Sequence, residues 1–303
     1  MTNQVICKVL LFSDPHFSVD SKKYEQKWFP PLCDIMPKWM TIKFLKFWDN
    51  MTQRAFKKAL LSYDGYGPFD LVIGCGDYTP GTNEMGMITD EAVKQYEQFQ
   101  KSFYTTLGYA PSILVWGDHD VGYKFEVSGK TGVKIGTESG GMSVLSVHRA
   151  QDLIGPAFGE LDLGVKKIVY ISTNLIRNVD NTSDSYLQNL KCQQEDFVEE
   201  ILVNARDREI IFFLHDPTAL NFYEGVGESL LTHSKKIDTL LHGHMHARWN
   251  AQLMRVVYKP YRQLCKMFPV YVIPATWGMM GIGKGFGVME ILDDESIKFH
   301  WFK

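Results

Sequence analysis

Short apolar runs recur along the chain, and each stops at polar, ionisable residues. "VICKVLLFSDPH" runs into Asp14 and His16, "FDLVIGCGD" into Asp77, and "SILVWGDHD" into Asp118, His119 and Asp120. "KKIVYISTN" ends at Asn174, "REIIFFLHDP" at His215, and "IDTLLHGHMH" at His242, His244 and His246. Runs of this length, rich in Val, Ile and Leu, suit strands covered on both faces. Helical spacing appears between them. Residues 89–106 carry Ala92, Tyr96, Phe99 and Phe103 about one turn apart, and residues 193–204 place Phe197, Ile201 and Leu202 on one face. The alternation predicts a layered α/β protein, in which sites lie beyond the carboxyl ends of strands. Every ionisable cluster above falls at such an end. The last runs, "PVYVIPATWG", "GFGVMEIL" and "IKFHWFK", read as strands joined by turns and paired antiparallel.

No internal repeat or low-complexity linker divides the chain, and residues 1–303 read as one domain. Two stretches interrupt the pattern: a basic amphipathic insertion at about 22–62, and a flexible Gly/Ser/Thr-rich loop at about 127–142. "GIGKGFG" at 281–287 lacks the strand-then-helix context of a phosphate loop and reads as a turn. Composition is ordinary for a globular protein, 45% hydrophobic and 22% charged. With a net charge of -3 and no extended basic stripe, a nucleic-acid partner is not expected. Five scattered cysteines (Cys7, Cys33, Cys75, Cys192 and Cys265) form no C-x-x-C pair and read as reduced thiols of a cytoplasmic chain. The sequence shows no signal peptide, and no apolar run of the ~20 residues a spanning helix needs.

The strand-end residues mix carboxylates with imidazoles, a donor set that suits borderline divalent ions such as Mn, Fe or Zn. Each short set is weak alone, but five of them in one order are specific. That order, "DPH" (14–16), "GD" (76–77), "GDHD" (117–120), "LHDP" (214–217) and "GHMH" (243–246), resembles the calcineurin-like metallophosphoesterases. The resemblance implies a four-layer α/β/β/α sandwich of two mixed sheets and a binuclear metal centre. In it, Asp14, His16 and His246 would bind the first metal, Asp118, His215 and His244 the second, and Asp77 would bridge them. Two metals ~3.5–4 Å apart clamp a phosphate and generate a bridging hydroxide that attacks phosphorus. His119 is expected to protonate the leaving group, with Asp120 orienting its ring. His242 reads as structural, and His148 and His233 carry no assignment.

One position departs from the family pattern. Asp118 stands where the family has asparagine, so an ionised acid there lowers the formal charge of the centre by one. A less positive centre holds cations more tightly but acidifies bound water less. Three readings follow: an active binuclear site with altered metal preference, a catalytically weak metal-bound scaffold, or a deliberate substitution. The retained His119–Asp120 pair favours the first.

The insertion bears on substrate. Met40, Phe44, Phe47, Trp48, Met51, Ala55 and Ala59 share one helical face, and Lys43, Lys46, Asn50, Arg54 and Lys57 another. Residues 38–58 hold six basic residues against one acid, Asp49. Such a helix fits a membrane interface or an acyl-bearing substrate, although its second half, 51–61, suits packing on the sheet. The insertion also resembles, more loosely, those of bacterial lipid-directed members such as UDP-diacylglucosamine pyrophosphatases. "MRVVYKPYRQLCKMF" at 254–268 is a further basic, aromatic run that could line the same groove. The expectation is a phosphoesterase or pyrophosphohydrolase acting on an amphipathic or lipid-linked phosphate, peripheral at a membrane. A soluble nucleotide phosphodiesterase or phosphatase is the alternative.

Overall fold

The computed structural model describes residues 4–17, 50–56, 67–79, 90–108, 110–122, 142–179, 184–245, 248–276 and 285–302. Ten strands form two five-stranded sheets. The first sheet contains β1 (Val5–Phe12), β2 (Leu71–Cys75), β3 (Ser112–Val115), β9 (Phe286–Leu292) and β10 (Ile297–Phe302), in the order β10-β9-β1-β2-β3. The second contains β4 (Gly159–Asp162), β5 (Lys167–Tyr170), β6 (Ile210–Leu214), β7 (Ile237–His242) and β8 (Val270–Val272), in chain order. Strands β1, β2 and β3 are parallel, as are β5 through β8, while β9 runs antiparallel to both β1 and β10.

Side-chain alternation along each strand builds the layers. Val9 and Leu11 of β1 meet Ile211 and Phe213 of β6 between the sheets, with Ile73, Leu241 and Met289. Their neighbours Leu10 and Phe12 point the other way, onto α1 (Asp90–Leu107). Phe212 and Leu214 likewise face outward, onto α5 (Ser185–Asn204), α6 (Gly225–Thr232), α7 (Arg248–Val257) and α8 (Lys259–Met267). Three short helices, α2 (Asp118–Val121), α3 (Val144–Leu153) and α4 (Thr173–Asn178), close one end around buried Trp116. The result is the α/β/β/α sandwich that the resemblance implies.

Three expectations change in detail. First, β8, from "PVYV", pairs parallel with β7 rather than antiparallel. The α7–α8 hairpin carries the chain back across the sheet, so β8 re-enters in the same direction. Second, the helix expected over 193–204 begins at Ser185, because Asp184 caps it by accepting from Tyr186 N and Leu187 N at 2.9 and 3.2 Å. Third, of the insertion at 22–62 only 50–56 is described, and it is helical. Its buried face runs through Thr52 and Phe56, one position round from Met51 and Ala55, which are half-buried. Most of 38–58, the 127–141 stretch of the glycine-rich loop and 281–284 lie outside the described residues.

Phe99 of α1 is the hub of the aromatic layer under the first sheet. Its ring lies 5.2 Å from Tyr78 and from Phe56, 5.5 Å from Tyr96 and 5.9 Å from Phe103. Phe99→Ala is expected to cost about 3–5 kcal/mol of unfolding free energy through the cavity it leaves. Urea titration of the two proteins measures this.

Candidate metal centre

Beyond β1, β2, β3, β6 and β7 the chain turns sharply, and the turns touch. Asp14 N donates to Gly76 O at 3.0 Å, His16 N to Asp77 O at 3.0 Å, and Gly243 N to His215 O at 3.1 Å. Asp14, His16, Asp77 and His244 adopt positive φ of 46, 40, 56 and 60°. Such angles are uncommon for residues with a Cβ and collect where surrounding structure enforces them for function. Two glycines permit the crowding. A Cβ on Gly117 would lie 2.2 Å from Asp77 N, and one on Gly243 would lie 2.1 Å from Ser13 Oγ.

The side chains converge on Asp77. Its Oδ1 accepts from His119 N at 2.9 Å, which leaves Oδ2 facing His215 Nε2 at 3.2 Å and His16 Nε2 at 3.8 Å. His215 Nδ1–H donates to Cys75 O at 2.6 Å, so the lone pair on its Nε2 points inward. On the far side, His244 Nδ1 lies 3.3 Å from Asp118 Oδ2. The His16 and His119 rings are 5.0 Å apart, and those of His215 and His244 are 5.2 Å apart. Three overlapping triplets have ligand atoms within 4.8 Å of one another: His16, Asp77 and His119; Asp77, His215 and His244; Asp118, Asp216 and His244. Asp77 and His244 each belong to two of them.

Burial and charge define what the cluster will accept. Burial works against ionising Asp77, but His215 above all, with His119 and His16, holds its carboxyl well below the usual range. Burial equally disfavours the His215 cation, yet Asp77, Asp14 and Asp118 raise it well above an ordinary imidazole. Asp118 is pushed up by burial, with Asp216 and Asp77 adding to the shift and His244 opposing it. Acids this crowded call for positive charge, and divalent cations supply it while leaving imidazoles neutral to ligate. The donors fit such ions: His215 Nε2 and Asp118 Oδ2 are buried with no hydrogen-bond partner among the described residues.

Of the residues the sequence singles out, Asp14, His16, Asp77, Asp118, His119, His215 and His244 come together here. His246 lies outside the described residues. Asp14 accepts from the His244 backbone N–H at 3.2 Å, and from Ser13 Oγ. Asp120 does different work from that expected. Its Oδ2 accepts from Gly117 N and Asp77 N at 2.8 and 2.9 Å, and its Oδ1 from Tyr78 N at 3.1 Å. It therefore fixes the Asp77 loop rather than the His119 ring. Burial and the Asp77 charge push Asp120 up to about 8, against the three amides that favour its anion. His242 is structural: burial lowers it to about 4, so it is neutral, with Nδ1–H donating to Gly243 O and Nε2 accepting from Tyr261 O–H. Asn174 ties the α2 turn through Gly117 O and Gly122 O, each at 3.2 Å.

Asp216 was not anticipated. It is buried, its Oδ1 caps the turn at Pro217–Ala219 through Thr218 N and Oγ1, and its Oδ2 lies 3.9 Å from His244 Nε2. The His244 ring thus sits between two carboxylates, Asp118 at Nδ1 and Asp216 at Nε2. The available signal was its place in "LHDP", directly after a strand-end histidine.

The calcineurin-like phosphoesterase family model matches residues 7–248. The chain belongs to that family. Its fold is similar to that of purple acid phosphatase PPD1 from yellow lupin (Lupinus luteus) seeds, at TM-score 0.54 and 15% identity, over 98% of this chain and 51% of that one. A protein described as a 5′-nucleotidase from Staphylococcus aureus, in complex with α-ketoglutarate, aligns at TM-score 0.43 and 13% identity, over 97% of this chain and 52% of that one. The chain thus spans about half the length of these structures. No curated protein matches it.

Two substitutions probe the centre. Asp77→Asn removes the carboxylate shared by two triplets, and bound metal is expected to fall from about two ions per chain to one or fewer, read by elemental analysis. Asp216→Asn keeps a cap on the 217–219 turn but removes the charge behind His244. It is expected to weaken one of two metal affinities by about 10–100-fold, measured by calorimetry. Thr218→Val, which removes the hydroxyl bond but keeps the Thr218 N–H on Asp216 Oδ1 and the carboxylate charge, is expected to weaken that affinity far less.

Proposed function

We propose that this chain is a binuclear-metal phosphoesterase or pyrophosphohydrolase, acting on a phosphate ester or anhydride with an amphipathic or lipid-linked portion. The observation that carries the reading is Asp77 Oδ2, placed between His215 Nε2 and His16 Nε2 at 3.2 and 3.8 Å. Asp14, His16 and His246 would hold one cation, and Asp118, His215 and His244 the other, with Asp77 between them. Bound there, the two cations would supply a water of lowered pKa and neutralise phosphoryl oxygens. Manganese is the proposed metal, ahead of iron or zinc, because Asp118 puts a carboxylate oxygen, a harder donor, where the family pattern has a neutral carbonyl.

The chain's own groups supply the rest. His119 is held by its backbone N–H on Asp77 Oδ1, which sets its ring against His16 at the rim of the cluster. From that place it donates a proton to the leaving-group oxygen. Asp120 keeps the His119 turn and the Asp77 loop in register by binding both backbones. Asp118 adds negative charge, so the site holds cations firmly and relies more on His119 to assist departure. The basic, aromatic 38–58 stretch supports the amphipathic substrate. We infer a cytoplasmic location from the scattered cysteines, the described four of which are free thiols, and a peripheral position at a membrane from the basic 38–58 stretch. No described helix is long and apolar enough to cross a membrane.

His119→Gln is expected to lower kcat by about 10²–10⁴-fold on a phosphoester with a poor leaving group, and far less on a nitrophenyl ester, whose leaving group needs no proton. Equal losses on both would remove His119 as the acid. The family activity itself is tested with manganese against soluble esters and micellar lipid-linked pyrophosphates. Turnover confined to soluble esters would favour the nucleotide phosphodiesterase or phosphatase reading. Metal binding without turnover would favour the scaffold.

A further inference from the structure

Helix α7 carries two apolar faces where a surface helix needs one. Ala251 and Met254 turn inward, with Tyr258 just beyond the helix, and join the core of the second sheet. Leu253, Val256 and Val257, spaced i, i+3 and i+4, form another face and are 51, 71 and 66% exposed. Those side chains lie outside the buried core of the second sheet. In α8 the inward positions are Tyr261 and Leu264, while Lys259, Arg262 and Lys266 lie exposed one and two turns apart. Residues 248–267 contain five basic residues and no acid, in a chain whose net charge is -3. Lys259, Arg262 and Lys266 form no ion pair with an acid among the described residues.

The hairpin is also tied to the metal loops. Asn250 Nδ2 donates to Met245 O at 2.9 Å, beside His244, and Tyr258 O–H donates to Thr218 O at 3.3 Å, beside His215 and Asp216. These bonds anchor the hairpin to the loops that carry His215, Asp216 and His244.

We propose that the exposed face of α7–α8 docks on an anionic lipid surface. Leu253, Val256 and Val257 enter the headgroup–acyl boundary, and Lys259, Arg262 and Lys266 meet lipid phosphates. Exposed aliphatic side chains followed along the hairpin by cations that pair with no acid among the described residues suit this partner. The centre of a protein interface is instead depleted in charge and enriched in aromatic residues. The proposal rests on the phosphoesterase reading of the site and deepens it, since the surface would be where a lipid-linked substrate is met. It is separate from the basic stretch at 38–58.

The test sediments the metal-loaded full-length chain with vesicles of phosphatidylglycerol and phosphatidylcholine, and with phosphatidylcholine alone. The expected result is binding at least tenfold stronger to the anionic vesicles, weakened by salt. A triple Leu253→Ser, Val256→Ser, Val257→Ser variant and a triple Lys259→Glu, Arg262→Glu, Lys266→Glu variant should each lose about tenfold or more. Both should retain the wild-type melting temperature and turnover of a soluble nitrophenyl ester. Wild-type binding to neither vesicle would overturn the proposal, as would variants that bind like wild type. A change of oligomeric state in the serine variant would overturn it in favour of a self-association surface. Hydrolysis of the soluble ester without vesicle binding would leave the phosphoesterase reading intact and remove only this one; vesicle binding without hydrolysis would do the reverse.

Discussion

The Asp120 carboxylate is the joint on which the site depends. It lies fully buried between the ends of β2 and β3 and accepts from the backbone amides of Gly117, Asp77 and Tyr78. A buried carboxylate is costly unless its lone pairs are filled, and here main-chain donors fill them. The same three bonds hold Asp77 at positive φ and bring the His119 turn against it. Tyr78 extends the brace downward: its hydroxyl donates toward Gly74 O and Val115 O, each at 2.9 Å, and its ring stacks on Phe99. Geometry at the top of the sheet is thereby referred to the aromatic layer beneath it.

Asp14, His16, Asp77 and His244 all carry positive-φ strain. Each such angle costs on the order of 1–3 kcal/mol, and each aims a polar side chain at one point instead of along its strand. Parallel strands make that economical. Five of them end at the same edge, so one short, sharp turn per strand delivers one or two ligands. The cost falls on backbone conformation and on glycine at Gly117 and Gly243, where a Cβ would collide with a neighbouring loop.

Much of this was legible in the sequence because burial on both faces leaves a plain mark: unbroken apolar runs that stop at charged residues. The layered α/β character and the grouping of Asp14, His16, Asp77, Asp118, His119, His215 and His244 beyond strand ends follow from those runs, whereas the α/β/β/α sandwich was what the resemblance to the calcineurin-like family implied. What escaped depends on contacts between distant segments. Asp120 sits beside a histidine in sequence, so orienting that ring was the natural expectation; only the fold shows that its oxygens meet the amides of another loop. Asp216 follows a strand-end histidine, yet its second oxygen is turned to His244 by a capping bond to Thr218. The direction of β8 depends on a two-helix crossover that local alternation does not encode. The buried face of 50–56 was displaced by one residue because Thr52, polar by type, packs fully inside.

The donors of the candidate centre come from both sheets. Asp14, His16, Asp77, Asp118 and His119 follow strands of the first, and His215, Asp216 and His244 follow strands of the second. The layer between those sheets is mainly apolar among the described residues, and hydrophobic packing is non-directional; a directional tie across it, His215 Nδ1–H to Cys75 O, lies at the candidate centre. A cation gripped from both sides would act as a rivet through the sandwich, adding stability that grows with the logarithm of its free concentration. Supply of metal would then set how long the folded chain survives as well as how fast it works.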